Sequence, residues 1–262
     1  MKIIVLTDNY SITSATALAH LLSREDLSIV AVLIKDRSNK DKNTFKTLFD
    51  KYKKKQGYRY VINKGRFILY VKLRIIFSRI IRILDKKIYY SLEEVKEKYP
   101  FKEITIKDIN SNDSFELLKS FDFDVLLSLS YPQIIRNNRI FDLAEVGNIN
   151  LHRSLLPKHR GSNPVFWARA HQEIQTGITF HHIEPTVDTG NIINQRKIHI
   201  NSKKDSHIKV LRKMSQEIPV ALDELFKSNM KDLNIGMSQK KDNEIPNKAP
   251  TKFDRKKHNI WD

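Results

Sequence analysis

Residues 2–34, KIIVLTDNYSITSATALAHLLSREDLSIVAVLI, decide the fold class. The apolar run at 2–7 predicts a buried strand, the polar stretch Asp8 to Ser14 predicts a turn, and Ala17, Leu18, Leu21 and Leu22 then recur at helical spacing. A second apolar run, SIVAVLI at 28–34, predicts another strand. Strand, turn, helix, strand is how a parallel α/β sheet opens, and ligands of such sheets bind beyond the carboxyl ends of the strands. That rule places Asp8, Asn9 and Ser11 near an expected site. Further on, FDVLLSLSY at 123–131 has the unbroken apolar centre of a central parallel strand. A strand at 103–106 and helices at 113–120 and 207–227 complete the expectation of a Rossmann-like, predominantly parallel sheet flanked by helices.

The stretch at about 40–98 reads as a helical insertion. Its first part, 36–64, is rich in lysine and shows helical spacing only at Phe45, Leu48, Phe49 and Tyr52. From Leu69 the pattern sharpens: Leu69, Leu73, Ile76, Phe77, Ile80 and Leu84 line one face, and Lys72, Arg79, Arg82 and Lys86 the other. This predicts an amphipathic basic helix with its apolar stripe packed on the domain and its basic face in solvent; a subunit contact or a membrane-surface contact is the alternative. A catalytic domain at 1–227 and a short extension at 228–262 are expected, the tail from Met237 being charged and broken by Pro246 and Pro250.

The chain has 262 residues, no cysteine and a formal net charge of +17. Without cysteine there is no disulfide, thiolate nucleophile or cysteine zinc site, which suits a reducing cytoplasm. The N-terminal apolar run is too short for a signal-peptide core or a spanning helix. The charge attracts polyanions, among which nucleic acid, an anionic membrane, phosphorylated substrates and polyglutamylated cofactors all qualify.

Four of the seven glycines, Gly147, Gly161, Gly177 and Gly190, fall within residues 147–190, beside Pro157, Pro164 and Pro185, so turns there sit at defined places. The segment opens with GNINLHRSLLPKHRG, where a strand at 148–152 sets Asn150 and His152 two residues apart and therefore on one face. Pro157 stops that strand, and Arg160-Gly161 supplies a turn with a guanidinium able to reach an anion. The later run GITFHHIEPTVDTGNII holds a strand that can pair beside the first, then a loop ending in Asp188-Thr189-Gly190. His181 and His182 are adjacent, so a strand turns them to opposite faces and no metal pair is expected from them.

The segments INLHRSLLPKHRG and GITFHHIEPTVDTGNII together resemble the folate-dependent formyltransferases, which include glycinamide ribonucleotide, methionyl-tRNA and nucleotide amino sugar enzymes. The resemblance is strong over about 122–200, extends to 1–35 and is not seen over 40–100. It implies Asn150, His152 and Asp188 as a catalytic trio, with 10-formyltetrahydrofolate as co-substrate and no metal. It places the pterin against the loop Tyr131, Pro132, Gln133, Ile134 and Ile135 and against Glu184 to Asp188, including Val187. Arg153 and Pro132 depart from the family pattern, which often has proline or a small residue at the first position and a flexible residue at the second.

Attack of an amine on a formyl carbon creates an oxyanion, an ammonium and a poor leaving group. Asn150 is suited to donate to the oxyanion, and Asp188 is expected to raise the pKa of His152 so that the ring stays charged near neutrality. For the acceptor, the short C-terminus argues against the barrel domain of methionyl-tRNA enzymes, and the glycine-free turn at 7–11 argues against a purine-pathway phosphate loop. A nucleotide-linked amino sugar is the expected partner, held by Asn9, Ser11 and Arg160. Deformylation of the folate, or a non-catalytic RNA- or membrane-binding role, are the competing readings. A homodimer and a membrane-surface contact through the basic helix are compatible with the sequence; nucleic acid is not expected.

Overall fold

The computed structural model describes residues 1–9, 11–36, 52–76, 88–227, 233, 236–239 and 245–260. Its strands are β1 (Lys2–Thr7), β2 (Ser28–Lys35), β3 (Glu103–Ile106), β4 (Val125–Leu129), β5 (Gly147–His152), β6 (Gln175–His182) and β7 (Ile192–His199). They form one sheet in the order β3-β2-β1-β4-β5-β6-β7. The pairs from β3 through β5 are parallel, whereas β5–β6 and β6–β7 are antiparallel. The predominantly parallel α/β sheet expected from the sequence is therefore the fold.

The sheet is covered on both faces, which is why β4, with every residue buried, reads as continuous apolar sequence. On one face pack α1 (Ile12–Leu22) and α6 (His207–Lys227). Val210, Met214, Ile218, Ala221, Leu222 and Leu225 give α6 a buried stripe at helical spacing, and small Ala15, Ala17 and Ala19 belong to the same core. On the other face α4 (Asn112–Lys119) contributes Phe115 and Leu118, beside Ile109 and Ile140. Short helices α3 (Leu92–Lys96) and α5 (Pro164–Ala170) complete the layers.

Two expectations change. The basic helix, α2, spans Tyr58–Ile76 and so starts earlier than Leu69. Leu69 and Leu73, expected against the core, are 58% and 45% exposed. Phe45, Leu48, Phe49, Phe77, Arg79, Ile80, Arg82, Leu84 and Lys86 lie outside the described residues. The charged tail holds a helix, α7 (Lys252–His258), whose Thr251 and Asp254 form a reciprocal capping box. Pro250 precedes the N-cap, so it marks the start of an element and not a break in the tail.

The register gives the fold its functional edge. Thr7 lies beside Leu129, and Leu129 beside Leu151. The chain segments leaving β1, β4 and β5 at Asp8, Ser130 and Arg153 consequently emerge side by side, at the carboxyl ends where open α/β sheets bind ligands.

Candidate active site

A cleft of about 510 Å³ opens at this edge. Its lining includes Asp8 after β1, Ser130 and Tyr131 after β4, Asn150, His152 and Arg153 from β5 and beyond, and His181 and Asp188 from β6 and its following loop. Asn150 and His152 share a face of β5, and antiparallel pairing sets Asn150 opposite His181. Asp188 is delivered by the loop after β6 in a left-handed conformation (φ 53°), which aspartate tolerates better than most residues. Gly161, also left-handed at φ 87°, donates its N–H to Asp188 Oδ2 at 2.7 Å.

The polar groups form a connected set. His181 Nδ1 lies 2.7 Å from the His182 carbonyl and donates to it, and its Nε2 lies 3.1 Å from Asn150 Nδ2. One amide hydrogen of Asn150 is thereby occupied and the other is left to donate. His152 Nε2 lies 2.9 Å from the His159 carbonyl, and its Nδ1 lies 3.4 Å from Asp188 Oδ2. Asp188 Oδ1 is 3.5 Å from His181 Nε2. Alternation on β6 sends the adjacent His181 and His182 to opposite faces, so only one of them can line the cleft. That alternation in fact turns His181 into the cleft; pairing across the strands was the missing information.

Burial works to raise the Asp188 pKa, but His152, His181 and the Gly161 N–H outweigh it and hold the carboxyl at about 2. The expectation for His152 is corrected: burial pushes its pKa below the ordinary value, and the opposing pull of Asp188 recovers only part of the loss. A neutral ring can donate to one of its two acceptors, the His159 carbonyl or Asp188, whereas the cation donates to both. The site therefore gains from a proton but resists holding one in the absence of added negative charge.

His159 and His182 are also lowered by burial. Below pH 6.5 these rings, like His152, take up protons in the unfolded chain before the folded one, so stability rises with pH across the window beneath 6.5. Asp188 adds a separate loss only at more acidic pH, as its carboxylate is titrated toward about 2. Calorimetric Tm is expected to fall as pH is lowered from about 7 to about 5, and His182→Asn, outside the cleft lining, is expected to flatten that slope.

The loops named for the pterin frame the cleft: Tyr131, Pro132, Gln133, Ile134 and Ile135 on one side, Glu184, Thr186 and Val187 on the other. Gln133 is anchored, bonding Asp108 and accepting from Lys35 Nζ at 3.0 Å and Ile109 N at 3.2 Å. Among the described residues, the buried Ser130 Oγ and Tyr131 Oη have no hydrogen-bond partner. Two unpaired hydroxyls beside Ile134, Ile135 and Val187 suit a flat ligand with a polar edge.

The three residues named for the acceptor are placed otherwise. Ser11 is the N-cap of α1, and its oxygen accepts from Ser14 N at 3.3 Å and Ser14 Oγ at 2.8 Å. Asn9 is not among the cleft-lining residues, and its carbonyl accepts from Leu92 N. Arg160 is buried and donates to Gln239 Oε1 at 2.8 Å, while Gln239 Nε2 donates to the carbonyls of Asp188 at 3.0 Å and Gly190 at 2.7 Å. Arg160 thus braces the loop that carries Asp188. The arginine in the cleft is Arg153, with Asp8 as its opposing charge. Among the described residues no group of three or more His, Asp or Glu side chains is placed to hold a metal ion.

An amide, an imidazole and a carboxylate thus converge at the carboxyl ends of a predominantly parallel sheet. The chain belongs to the formyl transferase family, whose profile matches residues 1–222. It is 33% identical over 122 residues to methionyl-tRNA formyltransferase from Kosmotoga olearia, an alignment covering 47% of this chain and 38% of that protein. It is 37% identical over 98 residues to GDP-perosamine N-formyltransferase from Brucella melitensis, covering 37% of this chain and 38% of that one. The chain therefore spans well under half the length of these curated relatives. Among solved structures, an N-formyltransferase from Helicobacter canadensis in complex with folinic acid and dTDP-3-aminofucose superposes with a TM-score of 0.52 at 15% identity, covering 91% of this chain and 68% of that one.

Proposed function

We propose that this protein moves the formyl group of 10-formyltetrahydrofolate to a primary amine on a nucleotide-linked amino sugar, in the synthesis of a surface polysaccharide. The observation that carries the transfer chemistry is the convergence of Asn150, His152 and Asp188 in one cleft. The amine nitrogen bonds to the formyl carbon and the bond from that carbon to the folate nitrogen breaks, while one proton passes from the attacking nitrogen to the leaving one. Asn150 donates its remaining amide hydrogen to the oxyanion. His152 draws a second proton, from solvent, as that negative charge develops and gives it back when the intermediate collapses, because the new anion and Asp188 together offset the burial that disfavours the charged ring at rest. Asp188 accepts and returns the travelling proton, directly or through water.

The folate fits the wall built by Tyr131 to Ile135 and Glu184 to Val187, with Ser130 and Tyr131 hydroxyls meeting its polar edge. The acceptor is supported by the Brucella relative and by the sugar nucleotide named for the Helicobacter protein. Arg153, in the cleft and next to His152 in sequence, replaces Arg160 as the group that meets the acceptor's phosphates.

The test is release of tetrahydrofolate with thymidine-, uridine- and guanosine-diphosphate amino sugars, run beside methionyl-tRNA, glycinamide ribonucleotide and water alone. One amino sugar nucleotide is expected to be active, and Arg153→Gln is expected to raise its KM about tenfold or more with the folate KM little changed. Turnover of methionyl-tRNA or glycinamide ribonucleotide alone refutes the acceptor, and equal turnover in water refutes transfer.

A further inference from the structure

We propose that the outward face of α2 is a docking surface for an anionic lipid bilayer. Tyr58, Ile62, Gly65, Leu69 and Leu73 recur at intervals of three or four, so they form one stripe along the helix. Tyr58 is 54% exposed and Ile62 40%, in line with Leu69 and Leu73. A Cβ built on Gly65, midway along, meets nothing within 4 Å. Among the described residues each position of the stripe is exposed.

Contacts outside the stripe hold this segment to the body. The Arg255 guanidinium of α7 lies 4.1 Å from the Tyr60 ring centre, and its Nε donates to Gln56 Oε1 at 3.0 Å. Tyr70 meets the buried Tyr90 edge-on at 5.7 Å between ring centres. None of these contacts uses a residue of the apolar stripe.

Charge selects the occupant. Residues 52–76 contain eight Lys and Arg and no Asp or Glu. Lys53, Lys54, Lys55, Arg59, Lys64 and Arg66 are all exposed. A second copy docked stripe to stripe would bring the basic flanks of the two helices together with no acid in the segment to offset them. An anionic bilayer takes both features at once: the apolar stripe enters the headgroup boundary and the flanking cations meet lipid phosphates. Nucleic acid would use the cations but not Ile62, Leu69 and Leu73. Among the described residues no helix is long and apolar enough to cross a membrane, so the mode is contact along the surface.

Co-sedimentation of the full chain with vesicles tests this, using phosphatidylcholine alone and phosphatidylcholine with about one third phosphatidylglycerol. The wild type is expected to pellet only with the anionic vesicles, less so at high salt. L69S/L73S and R59Q/R66Q are each expected to lower the bound fraction about tenfold or more, with circular dichroism unchanged. The charge variant alters only exposed residues and keeps the test decisive if the leucine variant folds poorly. Equal binding to both vesicle types overturns the proposal. So does a folded L69S/L73S protein that pellets like wild type, which would assign the surface to charge alone and point to nucleic acid. A lipid-free wild-type dimer that becomes monomeric in L69S/L73S, without anionic vesicle binding, would assign the stripe to a second copy.

Discussion

Replacement of Asn150, His152 or Asp188 by alanine is expected to lower turnover at least about 100-fold while leaving the folate dissociation constant within about threefold. The reason is geometric. Each side chain lines the cleft outside the segments 131–135 and 184–187 that are proposed to hold the pterin. Loss of one donor to a developing oxyanion costs about 3 to 4 kcal/mol in comparable sites, which is the size of the expected effect. Asp188→Asn is the sharper variant, since it keeps an oxygen to accept from Gly161 N while removing the charge that favours a cationic His152. Single-turnover rates and equilibrium folate binding check both halves of the expectation. Near-normal turnover in all three alanine variants would refute the assigned roles.

Gly190→Ala is expected to damage both stability and activity. An added Cβ would overlap the His182 carbonyl, and all its nearest neighbours are backbone atoms of His182, so no side chain can swing aside. Overpacking of this kind costs about 1 to 3 kcal/mol, or a Tm loss of roughly 2 to 12 °C for a protein of this size. The carbonyl that must move also holds His181 Nδ1, and His181 Nε2 in turn orients Asn150. Turnover is therefore expected to fall about tenfold or more even where the variant is folded. Gly65→Ala is the control: its position is open, and relief of glycine's helix penalty is expected to leave Tm unchanged or slightly higher. Scanning calorimetry and turnover at a temperature where both variants are folded separate the two effects.

Local pattern was sufficient wherever a feature depends on near neighbours in the chain. The strands β1, β2 and β4, the long helix α6 and the shared orientation of Asn150 and His152 follow from apolar runs, helical spacing and alternation, all settled within a few residues. The resemblance named Asp188 as the third member, and the fold brings it to His152 across 36 residues of chain. Where competition between distant groups decides, the sequence was silent or misleading. Ser11 and Arg160 looked available to an anion, but one caps α1 and the other braces Gln239, because a helix start and a buried guanidinium both demand partners. Leu69 and Leu73 had the spacing of a core stripe, yet spacing specifies that residues share a face and not which way the face points. His181 entered the cleft through the pairing of β5 with β6, and Arg153 through the exit of the chain from β5. The resting charge of His152 depended on burial set against one carboxylate, a balance that exists only once the sheet and the loop after β6 have closed around the ring.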